Sequence, residues 1–275
     1  MLIPKTLLFL AATTVTAYNF NFNLNNVFEN GQKAILNLKN HFLQNDLNCP
    51  RDLLSCKSPS ANPCCSPKLG VVVLALQWDL KFGPKNEFTI HGLWPNNCDG
   101  SFGPKNGCDK ARSVERIADT VFSYDRQVYD QMKKYWPSNR GDDDYFWTHE
   151  WNKHGTCVST IDPKCYDENT FKKGQDIVEY FNTTLALRNK YNLFDALARH
   201  NIFPNIPNTP NSLYTLQQFK QAIKAEFGHE PNVRCIGNRL MEIFLYFNVK
   251  NKDEYIMIPA AGKDTCRKIR YSVRN

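Results

Sequence analysis

Two short segments carry the residue types that move protons. One reads FWTHEWNKHGTC, and its ionisable side chains are His149, Glu150, Lys153 and His154. The other reads FTIHGLWP and contains His91. Because histidine titrates at about pH 6.5, one neutral and one protonated ring can serve together as general base and general acid. We therefore expect acid–base chemistry if the fold brings the two segments together.

A zinc site is the first alternative for FWTHEWNKHGTC. The zinc-protease motif H-E-x-x-H places two histidines four residues apart on one face of a helix. His149 and His154 are five residues apart, and at about 100° per residue they point about 140° apart. The spacing therefore disfavours a metal site, and we expect no metal or other cofactor.

On a helix, Glu150 shares one face with Lys153 and His154. A solvated face with ordinary ion pairs would give the same spacing. The segment is also aromatic, however, with Phe146, Trp147 and Trp151, and Cys157 follows it. Charged groups in such packed surroundings are costly and usually have a function.

A phosphodiester beside a 2′-hydroxyl suits this set of side chains. A base removes the hydroxyl proton, the oxygen attacks phosphorus, and an acid protonates the leaving 5′-oxygen. A lysine and a glutamate nearby can stabilise the negatively charged transition state. The formal net charge of +7 agrees with a polyanionic substrate, although many basic proteins bind no polyanion.

Hydrophobic spacing predicts the elements that must position these residues. Strands are predicted at 70–80, 87–92, 240–249 and 254–259, and the Pro-, Gly- and Asn-rich stretch 94–109 is predicted as a loop. Helices are predicted at 112–135, at 144–154, once or twice within 170–200, and at 212–227 between Ser212 as cap and Gly228. Helices clustered between early and late strands indicate an α+β fold.

The chain begins with MLIPKTLLFLAATTVTA, the pattern of a secretory signal peptide at residues 1–17. A membrane anchor is the alternative, but the apolar run is shorter than the about 20 residues that span a bilayer. No later stretch is long enough either, so we expect no membrane association. Residues 18–48 are rich in asparagine and predict an N-terminal extension, a candidate propeptide, and 49–275 is predicted as one catalytic domain.

All ten cysteines follow residue 48. An even number behind a signal peptide predicts five disulfides formed in an oxidising compartment. Zinc is the alternative, but paired C-x-x-C units are absent. Asn182 begins an Asn-Thr-Thr sequon, which predicts N-glycosylation if the site is exposed.

The segments FTIHGLWPNNC and FWTHEWNKHGTC resemble the two active-site segments of the ribonuclease T2 family, the secreted and vacuolar acid endoribonucleases. The stretch CPRDLLSCKSPSANPCCSPKLGVVVLALQW resembles the amino-terminal part of fungal members. The resemblance covers roughly residues 49–270. It implies an α+β fold with helices packed around a central antiparallel sheet. It also implies cleavage of single-stranded RNA through a 2′,3′-cyclic phosphate, a secreted or vacuolar/lysosomal location and, we expect, a monomer.

The resemblance also implies a role for each site residue. His154 would be the general base and His91 the general acid. His149 would bind phosphate or position the substrate, while Glu150 and Lys153 would stabilise the pentacovalent transition state.

Base recognition would use aromatic faces that grip an unstacked base. Trp94 and Phe102 match the family's first base site, and Asn96 stands where fungal relatives with an adenine preference have aspartate. A second base site is matched less specifically by Gln77, Pro137, Ser138, Asn139 and Phe146. Ordinary loop or core packing is the alternative for each of these residues.

The fungal pattern implies one pairing of all ten cysteines. The pairs would be Cys49–Cys65, Cys56–Cys98, Cys64–Cys165, Cys108–Cys157 and Cys235–Cys266. The bridge from Cys108 to Cys157 would hold the carboxyl end of the helix that bears His154.

Two other function classes stay open at this point. A secreted protein of the same fold could act mainly by binding RNA or by cytotoxicity, with cleavage secondary; replacing His91 and assaying both effects would distinguish this. A metal-dependent hydrolase would instead lose its activity in EDTA.

Overall fold

The computed structural model describes residues 49–58, 60–206 and 212–274. The signal peptide predicted at 1–17 and the extension predicted at 18–48 lie outside the described residues. Within the part of the chain that is described, no helix is both long enough and apolar enough to cross a membrane.

Most of the helices lie between the first two strands and the later strands in chain order, as expected of an α+β fold. The strands are β1 (Val71–Gln77), β2 (Thr89–Asn96), β3 (Tyr214–Thr215), β4 (Asn232–Ile236), β5 (Arg239–Lys250), β6 (Glu254–Ile258) and β7 (Lys268–Ile269). The α-helices are α1 (Ala118–Tyr124), α2 (Arg126–Tyr135), α3 (Asp143–Lys153), α4 (Gln175–Lys190), α5 (Leu193–Arg199) and α6 (Leu216–Phe227). The α+β prediction is therefore confirmed.

One antiparallel sheet organises the fold. Its strand order is β2-β1-β5-β4, and β6 also pairs with β5, while β3 and β7 form a separate two-stranded sheet. Strand β1 lies in the middle because VVVLALQ is almost entirely apolar and is buried from Val71 to Leu76. A strand flanked on both sides and covered on both faces needs this kind of sequence.

The two faces of the sheet pack against different hydrophobic clusters. One face, with Leu74, Leu76 and Leu245, belongs to the main hydrophobic core that the helices cover. The opposite face, which we call the site face, carries the buried residues Val71, Val73, Ala75, Phe244 and Tyr246. Because side chains alternate along a strand, each strand supplies both faces.

The sequence prediction of one helix over 112–135 is wrong. The structure has two helices there, α1 and α2, because Asp125 leaves the helical conformation between them. Its carboxylate then caps α2 by accepting a hydrogen bond of 3.0 Å from the N–H of Val128. The apolar spacing runs unbroken across this junction and hides it.

Two other local predictions are also wrong. Residues 94–96 complete β2 rather than starting a loop, and Pro95 is tolerated there because β2 is an edge strand. Helix α6 is capped by Thr215, which forms a capping box with Gln218, and not by Ser212.

Five disulfides join the ten cysteines, in the same pairs that the family resemblance implies. They are Cys49–Cys65, Cys56–Cys98, Cys64–Cys165, Cys108–Cys157 and Cys235–Cys266. The bridges join cysteines that are 16 to 101 residues apart in the sequence. Each bridge stabilises the fold by about 2–4 kcal/mol.

Candidate active site

His91 projects from an irregular point of β2. Its neighbours Ile90 and Gly92 pair with the consecutive residues Leu76 and Ala75, so His91 is the extra residue of a β-bulge. A bulge re-aims a side chain and is common beside active sites. The main chain is held there, because the carbonyl of His91 accepts a hydrogen bond of 2.9 Å from the buried indole of Trp136.

The amino end of α3 is fixed by three consecutive aspartates. Asp142 caps the helix by accepting from the N–H of Tyr145 at 3.0 Å. Asp143 accepts from the N–H of Ser138 at 2.7 Å. Asp144 accepts from two main-chain N–H groups at the start of α1, at 2.9 and 2.8 Å. The three carboxylates therefore lock the helix to its neighbours in one register.

The carboxyl end of α3 is fixed as firmly. The side chain of Asn152 accepts from the N–H of Val114 at 2.9 Å and donates to its carbonyl at 2.8 Å. The disulfide between Cys108 and Cys157 ties down the turn that follows. His154, the last residue before that turn, is consequently held in place by its main chain.

Trp94 on β2 joins the two segments. Its indole Nε1 donates a hydrogen bond of 2.9 Å to Oε2 of Glu150. Its ring centroid lies 5.4 Å from that of His154 and 4.9 Å from that of His91. The structure thus brings both histidines and the glutamate around one indole ring.

Gly92 makes room for the carboxylate of Glu150. A Cβ atom at position 92 would lie 2.0 Å from Oε2 of Glu150 and 2.3 Å from Nε1 of Trp94. Glu150 is 1% exposed, so its carboxylate has no free space into which to retreat. Only glycine at this position allows the helix and the strand to approach so closely.

The surroundings move the pKa values of the two histidines apart. Burial removes water from the ring of His154, and the positive charges of Lys153, His149 and His91 add to this, which lowers its pKa to about 3. Burial acts in the same direction on His91, but the hydrogen bond with Glu242 and the negative charges of Glu150 and Glu242 outweigh it and raise the pKa of His91. His154 is therefore neutral where His91 is protonated.

The other two titrating groups at the site also respond to burial. Burial raises the pKa of Glu150 to about 7, against the lowering influence of His91, Trp94 and Lys153. The pKa of His149 is lowered by burial and by the charges of Lys153 and His91. His149 stands on the exposed side of α3, so it is accessible to a ligand.

Sequence reasoning did not identify Glu242. Its Oε1 contacts Nδ1 of His91 from β5, which is separated from β2 in the sheet by β1. The two residues are 151 positions apart in the sequence. A signal was present, because Glu242 is a carboxylate within the otherwise mainly apolar run LMEIFLYFNV. Which residue it would meet depends on the strand register, which the sequence alone does not give.

The residues predicted for the first base site lie in two places. Trp94 and Asn96 lie on the site face of β2, and Asn96 is buried, whereas Phe102 is 84% exposed on the following loop. Among the described residues, no ring contact joins Phe102 to Trp94.

The residues predicted for the second base site border His91 or the start of α3. The ring of Phe146 lies 5.8 Å from that of His91, and Nε2 of Gln77 donates to the carbonyl of Ile90 at 3.1 Å, beside the bulge. The turn between α2 and α3 supplies the remaining three, Pro137, Ser138 and Asn139.

Asn182 lies within α4 and is half-buried. The hydroxyl of Thr184 in the same sequon is buried and donates to the carbonyl of Tyr180 at 2.7 Å. Glycosylation of Asn182 stays a prediction. In the described part of the chain, no group of three or more His, Cys, Asp or Glu side chains is placed to hold a metal ion.

Known proteins are similar to this chain in sequence and in fold. The model of the Ribonuclease T2 family matches residues 62–260. Ribonuclease Rh of Rhizopus niveus is 42% identical over 219 residues, which are 79% of this chain and 89% of that protein. Ribonuclease T2 of Aspergillus oryzae is 38% identical over 210 residues, 74% of this chain and 73% of that protein. The crystal structure of Actibind, described as a T2 ribonuclease, matches with a TM-score of 0.73 at 30% identity, over 81% of this chain and 96% of that one.

Proposed function

The chain belongs to the ribonuclease T2 family and is an endoribonuclease, and we propose that it cleaves single-stranded RNA by metal-independent transesterification. The product of the first step is a 2′,3′-cyclic phosphate. The observation that carries this proposal is the pair of histidines around Trp94, whose pKa values are displaced in opposite directions. Two groups separated in this way can act as base and acid at one pH.

The imidazole rings of His154 and His91 each carry out one of the two proton transfers. The neutral ring of His154 takes the proton of the 2′-hydroxyl, and the resulting oxygen attacks phosphorus. The protonated ring of His91 gives its proton to the leaving 5′-oxygen as the P–O bond breaks. The cyclic phosphate and a free 5′-hydroxyl end account for all the atoms.

The remaining residues act on the phosphate. The pKa of Glu150, raised by burial to about 7, keeps this carboxyl largely protonated at mildly acidic pH, so it can donate a hydrogen bond to a phosphoryl oxygen. Lys153 supplies the positive charge that stabilises the pentacovalent transition state. His149, on the exposed side of α3, binds phosphate or positions the strand.

Base contacts come mainly from the faces of aromatic rings. Trp94, Phe102 and Asn96 form the first base site, and Gln77, Phe146 and the turn 137–139 form the second. Stacking on aromatic rings tolerates any base, which agrees with low base specificity.

The protein works in the secretory pathway in this proposal, either secreted or in a vacuole or lysosome. The signal-peptide pattern at 1–17 and the five disulfides support this location, because disulfides persist in oxidising compartments. We expect the enzyme to be a monomer.

Digestion of a defined RNA tests the proposal. Purified protein is incubated with the RNA in EDTA, and the product ends are identified by mass spectrometry. Cyclic phosphate and 5′-hydroxyl ends are expected, with little preference among the four bases. Loss of cleavage in EDTA would contradict the metal-independent mechanism, and 5′-phosphate ends would contradict the attack by the 2′-oxygen.

A further inference from the structure

Glu242 is an ionisable residue at the site for which the reaction above has no role. It lies on β5, where its register partners are Gln77 on β1 and Arg234 on β4. Its side chain is 23% exposed and that of His91 is 35% exposed. The contact between Oε1 of Glu242 and Nδ1 of His91 is therefore partly shielded from water.

This contact decides which ring nitrogen of His91 can reach the substrate. A carboxylate oxygen only accepts hydrogen bonds, so the Nδ1 beside it must carry a proton. Nε2 is then the nitrogen left to donate to the leaving group, and a carboxylate partner of this kind fixes both the tautomer and the ring orientation. We propose that Glu242 is a positioning residue that holds the ring of His91 with Nε2 directed to the leaving 5′-oxygen. The inference rests on the proposed role of His91 as general acid.

The other contacts of His91 do not fix the orientation of its ring. The bulge and the hydrogen bond from Trp136 fix the main chain of His91. The rings of Trp94 and Phe146 line the imidazole at 4.9 and 5.8 Å between centroids, and they offer it no charged partner. Among the described residues, one polar contact restrains rotation of this side chain, and it is the contact with Glu242.

The charges that face His91 come from two elements. Strand β5 contributes Glu242, and helix α3 contributes Glu150, Lys153, His149 and His154. At mildly acidic pH, Glu150 is largely protonated because burial raises its pKa to about 7. Glu242 is then the carboxylate in direct contact with the ring, and its charge keeps His91 protonated against the positive charge of Lys153.

Three substitutions separate charge from shape. Glu242→Gln removes the charge and keeps an oxygen that can accept from Nδ1. Glu242→Asp keeps the charge and withdraws it by one methylene group. Glu254→Gln, on β6 of the same sheet, is the matched control, because it removes an equal charge from an exposed position.

The expected result is a change in kcat and in the pH profile. Glu242→Gln should lower kcat by about tenfold and leave KM for RNA unchanged. This loss is smaller than the 10²–10⁴ that general acid–base catalysis contributes, because the ring of His91 is still present. The alkaline limb of the pH–rate profile should move down by about one unit, since an adjacent opposite charge raises a cation's pKa by about that much. Glu242→Asp should lie between wild type and Glu242→Gln, and Glu254→Gln should match wild type.

An NMR titration of the ring of His91 gives a readout that does not depend on activity. A lower pKa for His91 in folded Glu242→Gln, with circular dichroism like that of wild type, supports the proposal. An unchanged His91 pKa together with an unmoved alkaline limb in both Glu242 variants overturns it. If Glu242→Gln does not fold, the same two measurements on Glu242→Asp decide.

His91→Ala distinguishes this inference from the proposed function. If His91→Ala loses RNA cleavage while the Glu242 variants behave as wild type, only the positioning role fails. If His91→Ala keeps full activity, the assignment of His91 as general acid fails first.

Discussion

Gly92→Ala adds one methyl group at the narrowest point of the site. The new Cβ would meet Oε2 of Glu150 at 2.0 Å and Nε1 of Trp94 at 2.3 Å. Both distances are far below van der Waals contact, and Glu150 is 1% exposed and cannot swing into solvent. The hydrogen bond of 2.9 Å between the indole and the carboxylate must therefore lengthen or break.

The size of the effect follows from the contacts that are lost. Overpacking a well-packed site costs about 1–3 kcal/mol, and a hydrogen bond to the largely protonated carboxyl of Glu150 contributes about 0.5–1.5 kcal/mol. Since about 1.4 kcal/mol changes a rate tenfold, the value of kcat/KM should fall by about tenfold to hundredfold. The melting temperature should fall as well, by about 2–4 °C for each kcal/mol lost.

The assay combines steady-state kinetics on RNA with thermal unfolding. Trp94→Phe serves as the partner variant, because it keeps a ring but removes the indole N–H. If Gly92→Ala acts through the contact between Trp94 and Glu150, its effect should be smaller in the Trp94→Phe background than in wild type. A Gly92→Ala enzyme with kcat/KM within twofold of wild type and an unchanged melting temperature would refute the reasoning.

Three further predictions follow from the same geometry. The pH–rate profile should rise through about pH 3 as His154 loses its proton and fall on the alkaline side as His91, whose pKa is raised, loses its own; a rate still rising above about pH 8 would contradict the two roles. His149→Ala should raise KM more than it lowers kcat, because a phosphate contact made in the ground state is lost; an equal loss in kcat and kcat/KM would instead indicate a transition-state contact. Asn152→Ala should lower the free energy of unfolding in urea by about 1–3 kcal/mol for each main-chain group of Val114 left without a partner, and a change below about 0.5 kcal/mol would mean that these bonds do not hold α3.

The parts of the fold with a continuous local pattern could be predicted from the sequence. The apolar run at 70–80 predicts the buried strand β1, and the segment 144–154 matches α3 to within one residue at each end. Asp125 shows where this fails, because a single capping residue divides one periodic stretch into two helices. Strand β4 was missed since it is short and carries the polar residues Asn232 and Arg234.

The two segments of the candidate site could also be predicted, but not the contacts that complete it. The helical spacing groups Glu150 with His154, and in the structure the side chains of both contact Trp94. Gly92 stands beside His91 in the sequence. The need for glycine there appears only when the carboxylate of Glu150 lies against β2. Glu242 meets His91 through the register of β5 against β1 and through a bulge in β2, and neither is encoded in local spacing.

The assignment of base and acid is tested most directly with a substrate whose leaving group needs no proton. A nucleoside 3′-(4-nitrophenyl phosphate) releases nitrophenolate, a weak base, so a general acid gives it little advantage. We predict that His91→Ala loses RNA cleavage by a factor on the order of 10²–10⁴ but keeps most of its activity on the nitrophenyl ester. His154→Ala should lose both activities, because both reactions need the 2′-hydroxyl proton removed. Equal losses on the two substrates in His91→Ala, or a His154→Ala enzyme that still cleaves the ester, would contradict the central claim.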